Sequence, residues 1–306
     1  MVQFRRLDPL ANAGPHQRLL KYAVKSVSMA EDQFERLRES RPDLIVGEDD
    51  CMVVGLPYRD YLELNYGFPD IERFRSRFTD LVTRLAAASS KAEAPRGVIL
   101  PFRDRPNRVL AEDYFWALGM EEGRQWVEMS WVAVPEQPEP GVTVADAFVV
   151  QEASDRDRDA IAAIEAEVTG LPRLTDAGVT SIYENARWLR VVKDKSGAAD
   201  AFLSLRREPG GWGVIELAAI RPAVLDQLRE PLLQWAVAWL RNNGGRRIRK
   251  RVSFDDAAEI ALLRRVGFTA GETGIDYTRP VDAADVQARV AARKGTGTMI
   301  KFGDWR

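Results

Sequence analysis

Two stretches of the chain carry the same apolar pattern. In "YLELNYGFPDIERFRSRFTDLVTRL" the run Leu62-Glu63-Leu64 is followed by Pro69 and then by Ile71, Phe74, Phe78, Leu81, Val82 and Leu85. In "VIELAAIRPAVLDQLREPLLQWAVAWL" the run Ile215-Glu216-Leu217 is followed by Pro222 and then by Leu225, Leu228, Leu232, Trp235, Ala236 and Trp239. Both apolar sets recur at i, i+3, i+7, i+10, i+11 and i+14, the spacing of a helix face packed on a sheet. Each stretch therefore predicts a strand, a short turn and a long amphipathic helix. Each helix should start within three residues of its proline, which is favoured in a first helical turn.

The pattern around these stretches repeats as well. The first half opens with a predicted strand, "VQFRRLDP", and a helical stretch, "HQRLLKYAVKSVSMAEDQFERLRES", before the strands "LIVGED", "CMVVGL" and "YLELNYGF". The second opens with "AFVVQEASDRD" and the helix "DRDAIAAIEAEV", before "ARWLRVVKDK", "DAFLSLRRE" and "WGVIELAAI". Each long helix leads to another strand, "RGVILPF" or "RRIRKRVSF". A second helix follows, ending at Gly119 or Gly267, where a left-handed helix end wants glycine. A further strand closes each half: "RQWVEMSWVAV" in the first, and a run around "GIDYTRP" in the second. Between the halves "VPEQPEPGVTVAD" packs three prolines and a glycine, as a linker would. The expected fold class is α/β (α+β): two tandem units, each a twisted mixed sheet flanked by helices. Their expected bounds are 1–137 and 145–280, with a linker at 138–144 and a last helix and strand-like tail at 281–306.

Composition narrows the chemistry. A chain of 306 residues suits two ordinary domains, and 45% hydrophobic with 29% charged residues is typical of a globular protein. A net charge of −2 gives no whole-molecule attraction to nucleic acid or an anionic membrane. Cys51 is the single cysteine, which excludes an internal disulfide framework and a Cys-rich zinc site; it is expected to pack as a small apolar side chain. His16 is the single histidine, so Cys/His and Ser/His catalysis are poorly supplied. The chain has no run of 18 apolar residues and no apolar leader, so a cytoplasmic protein without a membrane span is expected. "RRIRKR" (246–251) reads as an exposed strand whose cations guard against edge-to-edge pairing, in preference to a nucleic-acid site. Trp235 and Trp239 read as core, and Trp126 and Trp131 as packing residues of a closing strand.

The order of elements, together with "NRVLAEDYFWALGM" and "DDAAEIALLRRVGF", resembles the GNAT acyltransferase fold present twice. Those two segments look like the family's Asn-x-x-Ala…Tyr-x-x-x-Gly-Phe segment. The resemblance covers nearly the whole chain, although no single motif is intact. It implies acyl transfer from acetyl-CoA or another acyl-CoA to a small-molecule amine or a peptide N-terminus, with no metal. In the family, acetyl-CoA lies in a V opened between the fourth and fifth strands. Its diphosphate sits on backbone N–H groups of an Arg/Gln-x-x-Gly-x-Gly/Ala turn at a helix N-terminus.

The glycine positions of that turn fall on Arg75 and Arg77 in the first half, and on Leu228 and Glu230 in the second. With Leu228, Glu230 and Pro231 there, the second half is expected to bind acyl-CoA weakly or not at all. The family's tyrosine position is held by Phe115 and Leu263, neither of which can give a proton, with Tyr114 adjacent to the former. Any chemistry is therefore expected in the first half, with Glu63 as base and Tyr114 as proton donor. Asn65, Arg73, Arg75, Arg77 and Asn107 are the expected cofactor-binding residues. Two other readings remain open: a non-catalytic GNAT-fold binding or scaffold protein, and a Fem-like transferase using aminoacyl-tRNA.

Overall fold

The computed structural model describes residues 14–27, 29–48, 50–93, 97–103, 115–116, 118–133, 144, 147–280 and 282–295. In the first half these form α1 (Pro15–Lys21), β1 (Val24–Ser26), α2 (Glu31–Ser40), β2 (Ile45–Glu48), β3 (Cys51–Tyr58), β4 (Tyr61–Phe68), α3 (Ile71–Glu93), β5 (Gly97–Arg103) and β6 (Glu121–Val132). In the second half they form β7 (Phe148–Glu152), α4 (Arg158–Thr169), α5 (Asp176–Asn185), β8 (Trp188–Asp194), β9 (Ala199–Glu208), β10 (Trp212–Ile220), α6 (Leu225–Asn242), β11 (Arg247–Ser253), α7 (Ala257–Arg265) and β12 (Thr269–Pro280), with α8 (Ala283–Gly295) last. The expected opening strand "VQFRRLDP" and the closing tail lie outside the described residues.

The two matched helices form where their apolar spacing places them. Phe74, Phe78, Leu81, Val82 and Leu85 of α3 are buried, while Ile71, in the first turn, is 48% exposed. In α6 Leu228, Leu232 and Ala236 are buried, but so are Leu233, Val237, Ala238 and Leu240, so this helix is covered over more of its circumference. Trp235 and Trp239 are only half-buried and stack on each other at 5.1 Å. Gly119 (φ 74°) and Gly267 (φ 100°) take the left-handed conformation expected of them. The predicted helical stretch from His16 to Ser40 is interrupted, because Val24–Ser26 pairs as β1 against β4 instead of continuing α1.

All the strands join one sheet, in the order β2-β3-β4-β5-β12-β6-β11-β10-β9-β8-β7, with β1 paired to β4 off this path. The closing strands are exchanged between the halves. β12 lies antiparallel between β5 and β6, and β6 lies antiparallel between β12 and β11. Burial follows the exchange: Ile275 and Tyr277 of β12 belong to the first half's core, whereas Met129 and Trp131 of β6 belong to the second's. Fully burying such side chains is worth about 1.5–3 kcal/mol each, so each half depends on the other's last strand.

A second seam lies at the β3–β4 turn. There Arg59 adopts a left-handed backbone (φ 55°) and its guanidinium pairs with buried Glu165 of α4 at 2.5 Å. Buried Asp60 accepts hydrogen bonds from the backbone N–H (3.1 Å) and hydroxyl (2.5 Å) of Thr175, the residue that caps α5. Asn185, ending α5, donates its side-chain amide to the Pro57 carbonyl at 2.6 Å. One end of the first half's sheet is thereby fixed against the helices of the second.

Candidate functional site

Strands β10 and β11 run parallel only from Trp212–Ile215 against Arg247–Lys250. On the other edge of β10 the register with β9 passes from Ile215 opposite Leu205 to Leu217 opposite Ser204, leaving Glu216 as the extra residue of a bulge. A bulge bends its strand and re-aims a side chain. Past it β10 and β11 part, and a cleft of about 430 Å³ opens between them and α6. Leu217, Ile220, Leu225 and Leu232 give it apolar walls, and Glu216, Arg229, Lys250 and Arg251 add charge.

The corresponding opening in the first half is filled by the chain itself. β4 pairs with β5 only from Tyr61–Glu63 to Gly97–Ile99. Beyond that, Tyr66–Phe68 pair with β1. Fully buried Asn65 accepts a hydrogen bond from the Met29 N–H (3.1 Å), and the Ser26 hydroxyl donates to the Pro101 carbonyl on β5 (3.3 Å). Gly67 is needed there, because a Cβ would stand 2.3 Å from the Tyr22 ring.

Between the halves lies a chamber of about 100 Å³. Glu63, Glu128, Glu216 and Asp276 line it together with Arg124, Arg206, Arg249 and Arg251. These side chains come from β4, β6, β9, β10, β11 and β12, so the single sheet must curl around the space they share. Glu216, Arg124 and Arg251 border both cavities, which makes Glu216 the carboxylate where the cleft and the chamber meet. Burial pushes the Glu216 carboxyl above its ordinary range, and although Arg206 opposes the shift, Glu63 and Glu208 add to it. Asp276 is raised in the same way by burial, against Arg124, while accepting from the Trp126 indole at 3.0 Å. Tyr58 also lines the chamber, and burial raises its phenol.

The expected site residues are scattered by comparison. Glu63 reaches the chamber and Asn65 holds the N-terminal segment. Arg73, Arg75 and Arg77 lie on the exposed face of α3, where Arg73 is 3.7 Å from Asp50 and Arg77 is 3.7 Å from Glu48. Tyr114 and Asn107 lie outside the described residues, and Phe115 and Leu263 are buried core. In the second half the side-chain bulk that argued against a ligand points elsewhere. Leu228 is buried in the core, and Glu230 bonds Arg265 at 2.7 Å. Cys51 is buried and its thiol is pushed up to about 12, and buried His16 lies 3.2 Å from the Met29 carbonyl through Nε2; neither contributes to the cleft or the chamber.

The reading of "RRIRKR" as a guarded edge is overturned. β11 lies between β10 and β6, well inside the sheet. Three of its four cations are tied inward: Arg249 to Glu208 at 2.5 Å, Lys250 to Glu259, and Arg251 over the Trp126 ring at 4.5 Å, while Arg247 is exposed. A cationic run on a central strand was the sequence signal for the chamber. Arg124, Arg206 and Asp276 gave none, because they come from three separate strands and only the fold brings them together.

Among the described residues no three His, Cys, Asp or Glu side chains are placed to hold a metal ion, and no helix is long and apolar enough to cross a membrane. No protein-family model and no curated protein matches the sequence. Solved structures do match the fold. A GCN5-related N-acetyltransferase from Sphaerobacter thermophilus aligns at TM-score 0.54 and 19% identity, covering 81% of this chain and 85% of its own. A protein of Novosphingobium aromaticivorans assigned to the GNAT family aligns at 0.50 and 14%, covering 80% and 95%. One of Pyrococcus horikoshii assigned as an acetyltransferase aligns at 0.51 and 12%, covering 83% and 80%. Matches over about four-fifths of the chain span both halves, so the fold is that of the GNAT acetyltransferases, in tandem.

Proposed function

We propose that this tandem GNAT-fold chain is an atypical N-acyltransferase, working in the cytoplasm, that moves an acyl group from a CoA thioester to an amine in the cleft of its second half. Residues 1–137 and 145–280 are the proposed units, with their last strands traded. The observation that carries the reading is the bulge at Glu216, which opens a cleft on one side and borders a charged chamber on the other. A slender thioester arm in the cleft and an amine in the chamber would meet at one carboxylate.

The fit to the donor is uneven. The apolar walls and the parted strands suit the arm. The turn before α6 lacks glycine, and Arg229 beside it is engaged by Asp256 (3.0 Å) and Glu259 (2.7 Å). No side chain caps the start of α6, but the Leu225 N–H at its first position already bonds the Pro222 carbonyl, which leaves few backbone donors for a diphosphate. That weak cradle is also what favours the non-catalytic alternative.

In the reaction the amine arrives as an ammonium and must lose a proton before its nitrogen can bond to the acyl carbon and displace the thiolate. Glu216 suits this step, since a carboxylate titrating above its ordinary range is the stronger base. To the Tyr58 phenol, which lines the chamber, falls the return of a proton to the sulfur where the two spaces meet. These assignments move the base from Glu63 to Glu216 and the acid from Tyr114 to Tyr58. The test is transfer of labelled acetyl groups from acetyl-CoA to a panel of primary amines by the full chain and its Glu216→Gln variant. Transfer that survives Glu216→Gln and vanishes in Glu63→Gln would return the chemistry to the first half. No transfer to any amine would leave the binding or scaffold reading.

A further inference from the structure

The ion pairs around the chamber differ in length according to where they point. Those directed outward to Glu208, which does not line the space, are tight: 2.5 Å from Arg249 and 3.0 Å from Arg206. Those among the lining residues are slack: Arg206 Nε to Glu216 at 3.8 Å, Arg251 Nε to Glu128 at 3.8 Å, Arg249 Nη1 to Glu128 at 3.5 Å and Arg124 Nη2 to Asp276 at 3.5 Å. Separations of 3.5 Å and more are too long for good hydrogen bonds. A purely structural network would close these gaps, since buried ions whose hydrogen bonds are unmade cost stability. Here they surround a space of about 100 Å³. At ~10–15 Å³ for one water-sized probe, that is room for roughly seven to ten heavy atoms.

The lining also carries both signs. It presents four carboxylates and four guanidiniums, with Glu208 behind it engaging two of the guanidiniums. A ligand carrying both signs would find a partner for each of its charges in such a place. The two signs have separate positions to occupy. Glu63 and Glu216 repel each other across the chamber, and an ammonium between them would relieve that. The Arg251 guanidinium carbon lies 4.5 Å from the Trp126 ring centroid, its one ion pair among the described residues is the slack one to Glu128, and it acts on Asp276 at longer range. A guanidinium held by an aromatic ring and by no close carboxylate is suited to a ligand's carboxylate.

We propose that the chamber binds a free amino acid, with its ammonium against Glu216 and Glu63 and its carboxylate on Arg251. As the acceptor of the reaction this amino acid rests on the acyltransferase reading; as a bound ligand it does not.

The two are separated by measuring binding first. Calorimetric titration of the full chain with each of the standard amino acids should find at least one that binds with a Kd of about 1 mM or tighter. The matched amine without the carboxylate, and the matched acid without the amine, should each bind at least about tenfold more weakly. Arg251→Met should weaken the amino acid about tenfold while leaving the matched amine unchanged. Arg251→Lys keeps the charge without the planar fork, so it should fall between the two and guard against a folding defect. The proposal is overturned if no amino acid binds, or if the amine binds as tightly as its amino acid. Binding without acyl transfer would sink the acyltransferase reading and leave the chamber's ligand standing. Transfer to simple amines with no gain from a carboxylate would do the reverse.

Discussion

In each half a glutamate sits between two apolar residues on the strand that leads into the long helix: Glu63 on β4 and Glu216 on β10. The ladder from β3 to β4 runs in one register, from Met52 opposite Gly67 to Tyr58 opposite Tyr61. The ladder from β9 to β10 breaks its register at Glu216. Both strands then part from their parallel neighbours. In the first half the gap takes in β1, and in the second it stays open as the 430 Å³ cleft. The same local sequence therefore yields a filled seam in one half and a cavity in the other. What distinguishes them is one inserted residue in a ladder and the presence of a spare strand, not the type of the glutamate.

The strongest way to break this comparison is to neutralise each glutamate in turn. Glu216→Gln keeps the shape and removes the base, so kcat for acyl transfer should fall by about 10²-fold or more. Glu63→Gln should act mainly on the KM of the amine and by less. The wild-type rate should rise with pH through an apparent pKa above the ordinary 4.5 of a glutamate, because burial raises the group. Equal losses from both changes would mean that the carboxylates work as one unit. Such measurements need the whole chain. A fragment beginning near residue 140 lacks β6, and with it Met129 and Trp131 of the second half's core.

The next effect concerns the filled seam. If Asn65 serves the N-terminal segment and not a ligand, Asn65→Ala leaves the Met29 N–H buried without its acceptor. That should cost about 1–3 kcal/mol in urea unfolding. The KM for acyl-CoA should stay where it was. A raised KM with unchanged stability would show instead that the first half's opening receives the donor.

Most of this architecture was legible in the chain. The repeated apolar spacing of α3 and α6 marks two like units, since a helix packed on a sheet needs one continuous apolar face. The exchange of β6 and β12 was not legible. Pairing an antiparallel strand with its own half or with the other half calls for the same alternation, so Trp131 and Tyr277 look alike in sequence whichever core they enter. The strand β1 that fills the first half's opening was hidden for a related reason: Val24–Ser26 is three residues long and flanked by helical signals. The site was half legible. Glu63 and Glu216 were found on their strands, but their convergence depends on the curl of the sheet, which no local pattern records.

A smaller effect sets the stability of the open site against its chemistry. Glu216 has a folded-state pKa above its unfolded value, because burial disfavours its charged form. Its contribution to stability is thus fully present below the unfolded pKa, 4.5, and is lost as pH rises through the folded value. At neutral pH the buried carboxylate is a burden that a neutral glutamine does not carry. Glu216→Gln should melt a few degrees higher than wild type at pH 7, and the gap should close as the buffer is taken toward 4.5. Thermal melts across that range test the sign. A variant that melts lower at neutral pH would mean that the slack contact with Arg206 outweighs the cost of burying the charge.

The smallest effect belongs to the three arginines that the sequence offered to a phosphate. Arg73, Arg75 and Arg77 sit on the outward face of α3, opposite the buried Phe74 and Phe78 that anchor the helix. The partners of Arg73 and Arg77, Asp50 and Glu48, are 3.7 Å away and themselves 46% and 37% exposed. Surface pairs of this kind are worth about 0–1 kcal/mol and fade with salt. The opening beside α3 that a donor would enter is taken by β1. Replacing all three arginines by alanine should therefore leave acyl-CoA affinity and kcat within about twofold of wild type, with stability changed by less than ~1 kcal/mol. Measuring the KM for acyl-CoA at low salt gives such a phosphate contact its best chance to appear. A rise of tenfold or more there would show that the first half does bind the donor's phosphates, and that an exposed helix face was the wrong reading of these three cations.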